Sequence, residues 1–116
     1  MSICKGGCHC GKVRYEVETN LEKVIECNCS HCYDKGLLLT FVPVDKFTLL
    51  SGESNLTEYQ FNTGRIKHLF CKTCGVQSFS RGQNKAGESL IAINVRCLDD
   101  VDQSKLTLTP VDGKSY

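Results

Sequence analysis

Seven of the nine cysteines fall in three tight clusters, Cys8-x-Cys10, Cys27-x-Cys29-x-x-Cys32 and Cys71-x-x-Cys74. No other feature constrains the fold as strongly, because each cluster has to present its thiols to a common point. Two residues between cysteines let both thiolates reach one metal ion, and zinc gathers four sulfurs at about 2.3 Å in a tetrahedron. Seven thiolates divide most naturally as four plus three. Four close a structural site. Three leave a coordination position open, where chemistry can take place.

A disulfide framework fits poorly, because the cysteine count is odd. The opening Met-Ser-Ile-Cys-Lys-Gly-Gly-Cys holds no apolar signal segment. No stretch approaches the roughly 18–20 apolar residues of a membrane span. The expectation is a cytoplasmic protein whose cysteines stay reduced and serve metal or catalysis. At 116 residues the chain reads as a single domain, 1–116. With no Trp and only 8% aromatic residues, a metal staple would help its modest core.

Lys and Arg number 14 against 13 Asp and Glu, a formal charge of +1. Seven thiolates and two zinc ions would take that to about −2. Lys5, Lys12, Arg14, Lys35, Arg65, Lys67, Arg81, Lys85 and Arg96 are scattered. Neither bulk charge nor a basic run supports a grip on nucleic acid.

The residue pattern is mostly β. Val13, Tyr15 and Val17 alternate with Arg14, Glu16 and Glu18, as in a half-buried strand. Further strands are expected at 23–27, 37–42 (ended by Pro43), 47–50, 56–61, 65–71, 76–80, 90–95 and 106–109. Asn62-Thr63-Gly64 is a hairpin-turn sequence. Helix is expected only as single turns at 30–35 and near 98–102. Strands spaced this evenly predict a small all-β sandwich of short antiparallel strands with at most one or two helical turns.

In Cys71-Lys-Thr-Cys74-Gly75 the glycine permits a left-handed backbone, so that amide N–H groups can approach the sulfurs. Cys8-His-Cys10-Gly11 repeats this logic with a shorter bite, after Gly6-Gly7 turns the chain into it. Sharing one ion, Cys8, Cys10, Cys71 and Cys74 would make a closed structural zinc site tying the first hairpin to the later sheet.

Cys27-Asn-Cys29-Ser-His-Cys32 differs in kind. Three thiolates on zinc carry net charge −1 and leave room for a fourth, soft ligand. A substrate thiol suits that place, since coordination deprotonates it at neutral pH. Should Cys4 or Cys97 complete the triple, both sites would instead be closed and structural. His31 reads as solvent-facing or hydrogen-bonding rather than as a ligand. His9 is expected to point outward, and His68 reads as a satisfied structural histidine. Cys97 looks like core or near-core. An iron–sulfur cluster would use four thiolates and leave the spacing of the rest unexplained.

These motifs resemble the glutathione-dependent formaldehyde-activating enzyme family, which is related to the centromere protein V domain. The resemblance runs through Gly6-Gly7-Cys8-His9-Cys10-Gly11-Lys12-Val13-Arg14-Tyr15-Glu16-Val17, Cys27-Asn28-Cys29-Ser30-His31-Cys32, Phe70-Cys71-Lys72-Thr73-Cys74-Gly75 and Ile93-Asn94-Val95-Arg96-Cys97-Leu98-Asp99-Asp100. It implies a β-tent fold, a structural zinc on Cys8, Cys10, Cys71 and Cys74, and a catalytic zinc on Cys27, Cys29 and Cys32. The implied activity is that of a carbon–sulfur lyase, condensing glutathione with formaldehyde to S-hydroxymethylglutathione. Lys35, Arg65 and Arg96 are candidates for the peptide's carboxylates. Two rival readings differ in class. One is a non-catalytic two-zinc scaffold that binds a partner and has a closed second site. The other is a methionine-sulfoxide reductase relative, in which Cys97 would be the nucleophile.

Overall fold

The computed structural model describes residues 2–60, 66–84 and 86–112. Among the described residues, ten strands follow in chain order: β1 (Ser2–Gly7), β2 (Arg14–Thr19), β3 (Val24–Cys27), β4 (Leu39–Pro43), β5 (Phe47–Ser51), β6 (Leu56–Tyr59), β7 (Lys67–Cys71), β8 (Phe79–Gln83), β9 (Ser89–Asn94) and β10 (Leu108–Val111). A six-residue helix, α1 (Ser30–Lys35), separates β3 from β4. The strands form a small sheet, β1-β2-β5, and a large one, β10-β3-β4-β9-β8-β7-β6.

The alternation read in the second strand sets the main core. Val13, just ahead of β2, and Tyr15 and Val17 of β2 share one buried cluster with Leu69, Phe79, Ile91 and Ile93 of the large sheet. Tyr15 meets Phe79 edge-on at 5.8 Å, and Phe47 lies 4.8 Å from Phe79. Fully burying each such side chain contributes about 1.5–3 kcal/mol. The Tyr15 hydroxyl donates to Ser78 O at 3.2 Å, so its one polar group is satisfied.

A second cluster of Ile25, Cys32, Leu37, Leu39 and Ala92 packs on the opposite face, beneath α1. The chain entering β4 is thus covered on both sides, with Leu37 and Leu39 in this cluster and Leu38 in the main core, which is why 37–39 is apolar without alternation, whereas Phe41 is exposed.

The structure departs from the sequence pattern in several places. β1 was not anticipated, because Lys5-Gly6-Gly7 carries no strand signal. Its glycines answer close approach: a Cβ at Gly7 would stand 2.0 Å from Val13 O. The strand expected at 76–80 begins at Phe79 instead. Ahead of it, Asn94 holds the backbone of Gln77 and Ser78 through its side-chain and main-chain N–H groups. β10 starts two residues later than expected and pairs parallel to β3, an exception to the antiparallel rule. Pro110 is tolerated there because β10 is an edge strand.

No helical turn forms at 98–102, where Leu98 bridges to Gly6. Single 3-10 turns flank it at Val95–Cys97 and Gln103–Lys105, with two more at Val44–Lys46 and Glu53–Asn55. Helical turns are therefore more numerous than one or two, although every one besides α1 is a single turn. The Asn62-Thr63-Gly64 turn lies outside the described residues. The strands on either side of it, β6 and β7, do pair antiparallel.

Candidate metal centre

The first thiol group joins the two sheets. Cys8 and Cys10 sit in the β1–β2 connection, while Cys71 ends β7 and Cys74 lies in the turn that follows. Their Sγ atoms all lie within 4.8 Å of one another. Cys10 Sγ is 3.6 Å from both Cys8 Sγ and Cys71 Sγ. A tetrahedron with zinc–sulfur distances of 2.3 Å has edges of about 3.8 Å, so the cage fits zinc.

Both halves of this cage fold alike. Cys8 N–H donates to Val13 O and Cys71 N–H to Val76 O, while Gly11 N–H and Gly75 N–H close back on Cys8 O and Cys71 O. Gly75 has φ +81°, the left-handed conformation expected after the second cysteine. Donors aim at the sulfurs: Val13 N–H reaches Cys8 Sγ at 3.4 Å and Asn55 Nδ2 reaches Cys71 Sγ at 3.0 Å. Burial works to raise the Cys71 thiol, but the N–H groups of Cys74 and Thr73 outweigh it and bring it down to about 6. The Val76 N–H likewise lowers Cys74. Thiolates are the metal-binding form, so these donors prepare the site. Asn55 carries no recognisable signal in the sequence; only the pairing of β6 with β7 brings it to Cys71.

Cys27 ends β3, Cys29 N-caps α1 and Cys32 lies buried within α1. Their Sγ atoms also fall within 4.8 Å of one another. Cys29 Sγ accepts from Cys32 N–H at 3.4 Å, and Cys29 N–H points to Cys27 Sγ at 3.5 Å. Burial pushes the Cys27 and Cys32 thiols up. At Cys29 burial is outweighed by the Cys32 N–H and the adjoining thiols, which hold that thiol below its ordinary value.

Among the described residues, neither Cys4, Cys97 nor His31 joins either group. Cys4 packs at the rim of the main core. The half-buried Cys97 thiol points at Gln77 O, 3.9 Å away, and burial pushes it up to about 11.

His9 is exposed, as expected. The other two histidines meet: the His31 ring lies 4.0 Å from that of His68 and stacks on Tyr59 at 5.7 Å. His68 is buried, with Gln77 Nε2 3.5 Å from its Nδ1. Burial, with His31 and Lys35 nearby, brings it down to about 4. Lys35 Nζ donates to Gln77 Oε1 at 2.9 Å and lies 5.0 Å from the Phe70 ring centre, and burial lowers its pKa.

Two hollows flank α1. One, of about 440 Å³, is lined by Cys27 and Cys32 together with Arg96, Glu26 and Asp112. The other, of about 530 Å³, is lined by His31, Lys35, Tyr59 and Phe70, with no cysteine. Lys35 and Arg96 therefore sit on opposite sides of the helix that carries the three-thiol group. Arg65 lies outside the described residues. No helix among the described residues is long and apolar enough to cross a membrane.

Comparison with known proteins adds two findings. The family described as glutathione-dependent formaldehyde-activating enzyme matches residues 3–111. A crystal structure of a Rhodobacter sphaeroides protein is similar, with 34% sequence identity and a TM-score of 0.80, over 91% of this chain and 97% of that one.

Proposed function

The chain belongs to the glutathione-dependent formaldehyde-activating enzyme family, and from that we propose that it joins glutathione to formaldehyde, giving S-hydroxymethylglutathione, at the three-thiol group of Cys27, Cys29 and Cys32. The single observation that carries this reading is the three-thiol group itself: three converging sulfurs with no fourth among the described residues, bordering a hollow. A zinc ion bound there would supply a soft Lewis acid that takes up a substrate thiol as thiolate.

The residues of the chain account for the rest. Cys27, Cys29 at the N-cap of α1 and the buried Cys32 would hold that ion. The hollow beside Cys27 and Cys32 holds the peptide thiol and the aldehyde together, and this proximity lowers the barrier. In the reaction a bond forms between the thiol sulfur and the carbonyl carbon. The carbonyl π pair moves onto oxygen, and the proton lost from sulfur ends there. Nothing is oxidised or reduced, and the reverse reaction is a carbon–sulfur lyase step.

Cys8, Cys10, Cys71 and Cys74 have the closed structural role in this scheme. Zinc per chain, measured by native mass spectrometry after purification without chelator, is the first test, with two ions expected. The second is exchange NMR on glutathione and formaldehyde, in which the chain should speed adduct formation above the spontaneous rate. One zinc per chain together with no acceleration would defeat the reading.

A further inference from the structure

We propose that Arg96 is the residue that reads the carboxylate of the peptide thiol, which makes the hollow beside Cys27 and Cys32 selective for a thiol borne on a short zwitterionic peptide. This rests on the thiol–aldehyde reading above and deepens it. Arg96 follows β9 and turns over the C-terminal end of α1, where its Nε donates to Gly36 O at 3.0 Å. That bond anchors the planar fork at one edge and leaves the two terminal nitrogens for a ligand. Among the described residues no carboxylate lies within ion-pair distance of Arg96. A guanidinium held this way suits two-point recognition of a carboxylate.

The opposite side of the hollow carries the other sign. Glu26 of β3 and Asp112 line it, and Asn28 Nδ2 donates to Asp112 Oδ1 at 3.0 Å. Strand order places β4 between β9 and β3, so the strands leading to Arg96 and to Glu26 stand about 10 Å apart, two strand spacings, and Asp112 follows β10, one spacing further on. An extended tripeptide spans about 10 Å. Its C-terminal carboxylate would lie at Arg96 and its amino group at the acidic side, with a central thiol facing Cys27 and Cys32. The hollow across α1 offers no such arrangement: its cation, Lys35, is held by Gln77 and the Phe70 ring, and no thiol lines it.

The test compares glutathione with its glycyl ethyl ester, which lacks only the C-terminal negative charge, on the zinc-loaded wild-type chain and on Arg96→Gln. For the wild type, KM for the ester should rise roughly 10–100-fold over that for glutathione with kcat little changed, the loss expected for a charge-assisted contact made equally in ground and transition states. In Arg96→Gln the two substrates should become equivalent. Equal KM values for the wild type, or a variant that still discriminates, would overturn the proposal.

Zinc content and thermal unfolding of Arg96→Gln show whether the lost Gly36 contact has disturbed α1. If it has, the wild-type comparison decides alone. Calorimetry with S-methylglutathione, which cannot react, gives an independent binding readout. Binding by the wild type, weakened at least tenfold in its methyl ester, upholds the Arg96 assignment even if no thiol supports turnover, an outcome that would count against the catalytic reading alone. Absence of binding together with absence of ester discrimination rejects it.

Discussion

Lys35 Nζ donates to Gln77 Oε1 across 2.9 Å, tying the helix that carries Cys32 to the stretch leaving the Cys71/Cys74 turn. Gln77 is buried, and its side-chain amide N–H also donates to Ser80 Oγ at 2.9 Å while its main-chain carbonyl accepts from Asn94 Nδ2. The two thiol groups therefore share one polar strut. Gln77→Leu would remove the side-chain bonds to Lys35, Ser80 and His68. It should lower stability by about 1–3 kcal/mol in urea unfolding with zinc in excess. A change below about 0.5 kcal/mol would mean that the strut carries no energy.

The two thiol groups should respond differently to the same substitution. Cys32→Ser is expected to remove one zinc and the activity while preserving the amide NMR pattern of β1, β2 and β7. Cys71→Ser cuts the link between sheets and should abolish cooperative unfolding altogether. Unfolding by Cys32→Ser would mean that the three-thiol site is structural.

His68 is depressed to about 4 in the folded chain, chiefly by burial, against an unfolded value near 6.5. The unfolded state then takes up its proton first as pH falls. Stability is fully present above about 6.5 and is lost as pH drops toward 4, by about 3 kcal/mol in all. His68→Phe should lack this slope. Denaturation midpoints of both proteins at matched zinc content, from pH 7 to 4, would settle it, and parallel curves would contradict the assignment.

Gly7→Ala tests close packing rather than chemistry. Its Cβ would fall 2.0 Å from Val13 O, and Val13 N–H serves Cys8 Sγ. The hairpin has to open, at a cost of more than about 3 kcal/mol, and zinc at the neighbouring four-thiol group should be lost with it. A variant that keeps two zinc ions and wild-type stability would show that the hairpin adapts.

How much of this was legible beforehand depended on distance along the chain. The cysteine motifs were readable because each brings its own thiols together locally, whereas the meeting of Cys8 and Cys10 with Cys71 and Cys74 depends on how the two sheets pack. Core strands such as β2 and β9 were readable from apolar pattern. β1 was not, because close approach of backbones has to be known before Gly6 and Gly7 make sense as strand residues. The parallel β10 has no local signal either, since its partner is chosen by which sheet edge is available. The meeting of His31, His68, Gln77 and Lys35 depends on where α1 lies over the large sheet. Asn55 was missed for the same reason, and Arg96 was a candidate on charge alone until its place beside Cys27 and Cys32 was known.

Cys10 and Cys71 stand 61 positions apart, yet their sulfurs are 3.6 Å from one another. A metal ion held there is a reversible cross-link closing a loop of more than half the chain. In the chain-entropy picture a permanent link of this length would restrict the unfolded ensemble by about 4 kcal/mol. A disulfide would fix that constraint once and for all. A metal makes it a variable, set by the free-ion level of the surroundings. With an ion held there, the fold would become tighter or looser as the ion is supplied or withdrawn.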